Sequence, residues 1–191
     1  MGLFDSIMGR RKPARPDLDA IFGLPSAAVT LSASLGYEAT GMGAVAFRVP
    51  EGRAFADVLA EIQALLAASG NPAVDVASDQ YGYTWLVIGT DPPDTGALVT
   101  HLHAVNLTLQ DSGFGPQLLC AMAGFAGPGG RTLAMVYLFK QGAFYPFAPM
   151  PGGGQARDTM LELQVRDLVG EDLAVEKDLA RWFPIWGAPG L

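Results

Sequence analysis

Two long apolar runs, residues 117–125 and 131–139, flank the turn segment Gly127-Pro128-Gly129-Gly130. Nothing else in the chain restricts the fold as strongly. Gly and Pro together interrupt any regular element. The runs must therefore pair as a hairpin closed by a loop rather than by a tight two-residue turn. The second strand re-forms over residues 143–147, where Pro146 marks a sheet edge.

The segments upstream have a different period. Phe55, Val58, Leu59, Ile62, Leu65 and Leu66 recur at spacings of three and four, which predicts a helix over residues 53–69. Gly70 and Pro72 stop it. Strands follow at 74–77 and 81–89, the second rich in aromatic and β-branched residues. Asp91-Pro92 reads as a helix start. That helix reaches Asp111 with Leu98, Leu102, Val105 and Leu109 on its core side, and Gly113 ends it. Nearer the start, Asp17 caps a turn carrying Leu18, Ile21 and Phe22. Pro25 ends that turn, Ser26 caps a helix over 27–34, and Gly36 closes it. Residues 37–40 and 43–49 read as two short strands around Gly41-Met42-Gly43. After the joint Pro151-Gly152-Gly153-Gly154, a helical region is expected over residues 157–183, broken at Gly170. The aromatic, proline-rich tail beyond it wraps onto its own domain. Helices interleaved with paired strands predict an α+β fold, an antiparallel sheet with helices packed on one face.

At 191 residues the chain is one domain with an appendage, long enough to bury about 70% of its unfolded surface. The net charge is −7 and the pI near 4.6, which excludes nucleic acid as the main partner. The charge is unevenly placed: residues 1–15 carry +3 and the remainder −10. The expected division is an amphipathic basic segment, 1–16, and a single α+β domain, 17–191. One cysteine, Cys120, rules out an internal disulfide framework and fits a reducing compartment. Apolar stretches of about 8 to 12 residues fall short of a membrane span. No basic region precedes an apolar one at the start, as a signal peptide would require. The expected location is cytoplasmic, at the inner face of the plasma membrane when the basic segment is engaged.

The sequence carries no recognisable catalytic, cofactor or metal site. His101 and His103, the two histidines, sit two apart on a helix. They are about 200° apart around its axis and cannot converge on one ion. The glycine clusters lack the following helix and Lys-Ser/Thr of a phosphate loop. Glu171, Asp172, Glu176 and Asp178 read as a solvated face, and neither Ser26 nor Ser34 sits in a nucleophile elbow. The protein is therefore expected not to be an enzyme. In the N-terminal segment two properties coincide. Leu3, Phe4, Ile7 and Met8 share one helical face, and Arg10, Arg11 and Lys12 follow. Against an anionic leaflet each cation gains about 1 kcal/mol, which predicts weak, reversible attachment to a membrane surface or a protein partner. The rival expectation is a small-molecule or peptide pocket between the sheet and the C-terminal helix, lined by Tyr81, Tyr83, Trp85, Phe139 and Tyr145.

Residues 1–22 (MGLFDSIMGRRKPARPDLDAIF), the adjoining Leu24-Pro25-Ser26-Ala27-Ala28 and the closing residues 178–191 (DLARWFPIWGAPGL) resemble the PspAB family of PspA-associated proteins from actinobacteria and related prokaryotes. The strand Tyr83-Thr84-Trp85-Leu86-Val87 sits where such a family would carry one. The resemblance implies a non-enzymatic adaptor in an envelope-stress (phage-shock) system. Its partner would be a PspA-like, membrane-remodelling protein related to ESCRT-III. It also implies a fold like that of type III secretion chaperones and, by analogy, homodimers and peptide binding. It transfers no catalytic residue and no cofactor.

Overall fold

A computed structural model describes residues 17–48, 54–68, 74–152 and 154–191. Within them, β1 (Glu38–Phe47), β2 (Val74–Ser78), β3 (Thr84–Gly89), β4 (Leu118–Ala126), β5 (Thr132–Leu138) and β6 (Ala143–Phe147) form one antiparallel sheet. The strand order is β2-β3-β1-β4-β5-β6. The helices are α1 (Leu24–Leu35), α2 (Ala54–Ala68), α3 (Thr95–Leu109) and α4 (Thr159–Leu168). The fold is α+β, as the order of elements predicts.

The hairpin β4–β5 pairs from Cys120 opposite Leu138 to Ala126 opposite Thr132. Its loop turns through Gly129 and Gly130 at φ +68° and +73°, a conformation that a Cβ disfavours. From residue 118 to 125 and from 133 to 139 the runs are apolar because both faces of the sheet are buried there. Leu133, Met135 and Tyr137 point to one core, and Ala134, Val136 and Leu138 to the other. The topology places the helices. β1 and β2 run parallel with β3 between them and are joined through α2. β3 and β4 run parallel with β1 between them and are joined through α3. The two crossovers advance in opposite directions from antiparallel strands, so connections of the same hand put both helices on the same face. Buried apolar residues of α1, α2, α3 and α4 all belong to that first core. The second core lies on the other face, where Trp182, Ile185 and Ala188 of the tail cover Ala46, Trp85, Cys120, Met122, Val136, Tyr145 and Phe147.

Several boundaries differ from the sequence reading. Residues 38–47 form a single strand, β1, where two short strands were expected over 37–40 and 43–49. Its pairing to β4 shifts between Ala39 and Gly43, so Gly41-Met42-Gly43 is a bulge inside one strand. Asp94, not Asp91, caps α3, its Oδ1 accepting the Ala97 N–H at 3.0 Å. Pro92 precedes Pro93, and a residue before proline is driven from the helical region, so the helix begins later. Pro25 starts α1 rather than ending a turn, since a first-turn proline gives up no helical bond. Ser26 consequently lies within the helix, and its hydroxyl donates to Asp172 Oδ1. Leu65, expected in the core, is exposed. The final helix stops at Leu168. Beyond it the chain crosses the β6 edge, where Val175 bridges Phe144, and passes to the far face with only a short turn at Leu179–Arg181.

Leu18–Leu35 is by length and composition apolar enough to cross a membrane, with a mean hydropathy of 1.4 over 18 residues. That is longer than the stretches counted from sequence. Here it forms a 3-10 turn (Leu18–Gly23) and α1, with Ile21, Leu24, Ala27 and Leu31 packed into the helix-face core. The basic segment, with Leu3, Phe4, Ile7, Met8, Arg10, Arg11 and Lys12, lies outside the described residues.

Candidate functional site

On the face away from the helices, the tail does not cover the whole sheet. It leaves a groove of about 480 Å³ between the β2–β3 loop and Phe183-Pro184-Ile185-Trp186. Trp85 of β3 and Leu119 of β4 lie along it, and Tyr81, Tyr83, Asp79 and Gln155 complete its lining. The loop wall is built by one carboxylate. Asp79 Oδ1 accepts the backbone N–H of Tyr81 at 2.8 Å and of Tyr83 at 3.0 Å, while Oδ2 accepts the Trp85 indole N–H at 2.9 Å. Partial burial pushes the Asp79 carboxyl up, but these donors and the Gly82 N–H outweigh it and hold the group below the usual carboxylate range. An acid so saturated with donors keeps its charge and organises the loop; it is poorly suited to moving protons.

The tail wall is held from beneath. The Tyr145 hydroxyl donates to the Phe183 carbonyl at 2.7 Å, and burial raises its pKa well above the ordinary value, so it stays a neutral donor. Trp182 stacks on Tyr145 with centroids 5.9 Å apart and donates its indole N–H to the Glu176 carbonyl at 2.9 Å. Arg157 is the main tie. Nη1 donates to the Trp182 carbonyl at 2.5 Å, Nε donates to Glu162 Oε1 at 2.8 Å, and the guanidinium lies 5.2 Å from the Phe147 centroid. Glu162, only 2% exposed, also accepts the Ala148 N–H at 2.9 Å.

A second depression of about 390 Å³ shares Tyr83 and Leu119 with the first. Its other lining residues are Arg48, Pro116, Gln117, Leu118 and Lys140. The Arg48 guanidinium sits over the Tyr83 ring, 5.2 Å from its centroid. Gln117 Oε1 is buried with no hydrogen-bond partner among the described residues. Neither Arg48 nor Lys140 forms an ion pair with a described residue, whereas Arg131, Arg157, Arg166 and Arg181 each do.

Of the five aromatics expected to line a pocket, the structure brings Tyr81, Tyr83 and Trp85 together. Phe139 does not join them, because it lies in the helix-face core. Its odd-numbered position continues the inward set Leu133, Met135 and Tyr137. Tyr145 lies on the correct face but is fully buried under the tail, which it anchors. The groove also lies between sheet and tail rather than between sheet and C-terminal helix. Sequence reasoning missed Arg157, Glu162, Asp79 and Gln117. Arg157 and Glu162 are five apart, which is no helical pairing distance, and only the fold buries them together. The histidines lie on α3 in the helix layer. His103 Nε2 is 3.1 Å from Asp19 Oδ1. Burial lowers the His101 pKa, with Asp94 opposing it. No cluster of three or more His, Cys, Asp or Glu suited to a metal occurs among the described residues.

The arrangement is suited to holding an apolar or aromatic group against a preformed wall, with polar groups at its ends. No curated protein and no solved structure matches the chain. A family match is found instead, to PspA associated protein B (PspAB), over residues 1–190. That span is essentially the whole sequence, and the chain therefore belongs to the PspAB family of PspA-associated proteins.

Proposed function

We propose that the protein is a non-enzymatic adaptor. It makes reversible contacts with a PspA-type protein in an envelope-stress response, at the inner surface of the plasma membrane. Family membership supports association with PspA. The observation that carries the adaptor role is the groove itself. Its aromatic walls are rigidly held, and its one lining carboxylate, Asp79, is saturated by N–H donors. Such a site suits binding a partner rather than transforming a substrate. In this reading Leu3, Phe4, Ile7 and Met8 meet lipid or partner, and Arg10, Arg11 and Lys12 supply the attraction to anionic headgroups.

Deletion of residues 1–12, followed by co-sedimentation with anionic liposomes with and without the PspA-type protein, tests this. Recovery is expected to fall in at least one condition; unchanged recovery in both removes the proposal. The groove's size supports a second reading, a site for a small molecule. A thermal-shift screen against metabolites separates the two, because a bound ligand raises the midpoint by mass action and an adaptor leaves it flat.

A further inference from the structure

The two depressions on the tail face meet at Tyr83 and Leu119, and we infer that together they bind an extended acidic peptide. This inference rests on the adaptor reading and names the chemistry of the partner segment. The protein carries a net charge of −7, yet one end of the groove presents Arg48 and Lys140, both exposed and neither ion-paired to a described residue. Arg48 is already oriented by stacking on Tyr83, so little of its rotamer freedom is lost on binding. A cationic end on an acidic protein selects an anionic partner and repels a basic one.

Gln117 specifies a peptide rather than a bare anion. Its buried Oε1 lacks a donor among the described residues. A buried acceptor without a partner costs about 1–3 kcal/mol; Gln117 lines the same end as the two cations, so a side-chain rotation that brings Oε1 to a ligand N–H there removes that cost. A peptide backbone supplies such an N–H beside an acidic side chain. At the other end, Tyr81, Trp85, Phe183, Pro184 and Trp186 form an apolar slot that suits an aromatic, aliphatic or proline side chain of an extended segment. Asp79 lies at this end, so the direction is set: acidic residues toward Arg48 and Lys140, apolar ones toward Trp186.

The test uses the full-length protein and fluorescein-labelled peptides in anisotropy titrations. One peptide alternates Glu with Leu, Trp and Pro; a second replaces every Glu by Lys. The acidic peptide is expected to bind more tightly and to weaken as salt rises. Arg48→Glu/Lys140→Glu is expected to weaken it at least about tenfold and to bind the basic peptide instead. Gln117→Leu is expected to weaken the acidic peptide while leaving the charge preference intact. Equal binding of the two peptides overturns the inference, as does an unchanged affinity in the double charge variant. Phosphatidylglycerol vesicles displacing the peptide and binding through the same two cations would also overturn it. Co-sedimentation of the same double variant with the PspA-type protein separates this failure from that of the adaptor reading. Loss of acidic-peptide binding with PspA association retained leaves an adaptor that docks elsewhere, whereas absence of PspA association in the unaltered protein ends the adaptor reading itself.

Discussion

The two faces of the sheet are covered by different means. On one face, α1 to α4 pack regular apolar stripes against β-strand side chains, and many residues share the work: Leu24, Leu31, Ile62, Leu66, Leu98, Leu102, Val105 and Val165 are all buried there. On the other, an irregular ten-residue stretch, 182–191, seals Trp85, Cys120, Tyr145 and Phe147. That seal is tied by Arg157, Tyr145 and Trp182. The helix face distributes its stability, and the tail face concentrates it in a few bonds. The groove of the tail face follows from this, because a segment without regular structure does not tile a flat sheet.

If stability on the tail face is concentrated, one substitution should expose it. Arg157→Ala leaves Glu162, 2% exposed, as an unpaired buried charge and releases the Trp182 carbonyl. A loss of about 3–5 kcal/mol is expected, read from urea denaturation. Arg166→Ala, which breaks the exposed pair with Asp167, should cost less than about 1 kcal/mol. Equal effects of the two would break the comparison.

Cys120 sharpens it further. The thiol is 1% exposed beneath the tail, and burial raises its pKa far above the ordinary value, so it reacts only when the tail opens. Under native conditions a disulfide reagent should label it faster than the protein unfolds globally. Arg157→Ala should accelerate labelling on the order of a hundredfold. Leu31→Ala on the helix face, destabilised by about 2–5 kcal/mol, should change native labelling much less. Labelling that tracks global stability in both variants would show that the two faces open as one.

The smallest effect concerns the groove's loop. Asp79 has a folded pKa below its reference value of 3.8. Its charged form therefore stabilises the fold above that value, and the contribution disappears as pH falls through the lowered folded pKa. Asp79→Asn should cost about 1 kcal/mol at neutral pH and flatten the fall in stability on acidification below the reference value of 3.8. On the helix side, Asp172 is also held low, by hydroxyl donors from Ser26 and then Thr30. Asp172→Asn should flatten the same limb without disturbing acidic-peptide binding.

Where a local rule sufficed, the structure follows the sequence. The period of Val58, Ile62 and Leu66 makes a helix because their side chains must share one face. The runs around Gly127-Pro128-Gly129-Gly130 make a hairpin because glycine supplies the turn. The start of α3 lies three residues beyond the capping signal at Asp91, because two prolines in succession compete with that signal. The long helix expected after Arg157 did not extend past Leu168, since residues beyond it find better burial across the sheet edge than along a helix axis. Of the groove, Tyr81, Tyr83 and Trp85 were legible as aromatics near a strand. Phe139 and Tyr145 were not separable from them, because sequence alone does not reveal which face a strand position takes once both faces are apolar.

The sequence by itself determined most of the elements, the α+β class and the kinship with PspA-associated proteins, since periodicity, turn chemistry and motif content are local properties. Only the tertiary structure decided that the tail closes the second face, that Arg157 and Glu162 tie it down, and that Arg48, Lys140 and Gln117 meet at one end of an aromatic groove. Those residues come from β1's end, the β4 and β5 ends and the region around α4. Their meeting depends on strand order and register, which long-range pairing sets and no local pattern encodes.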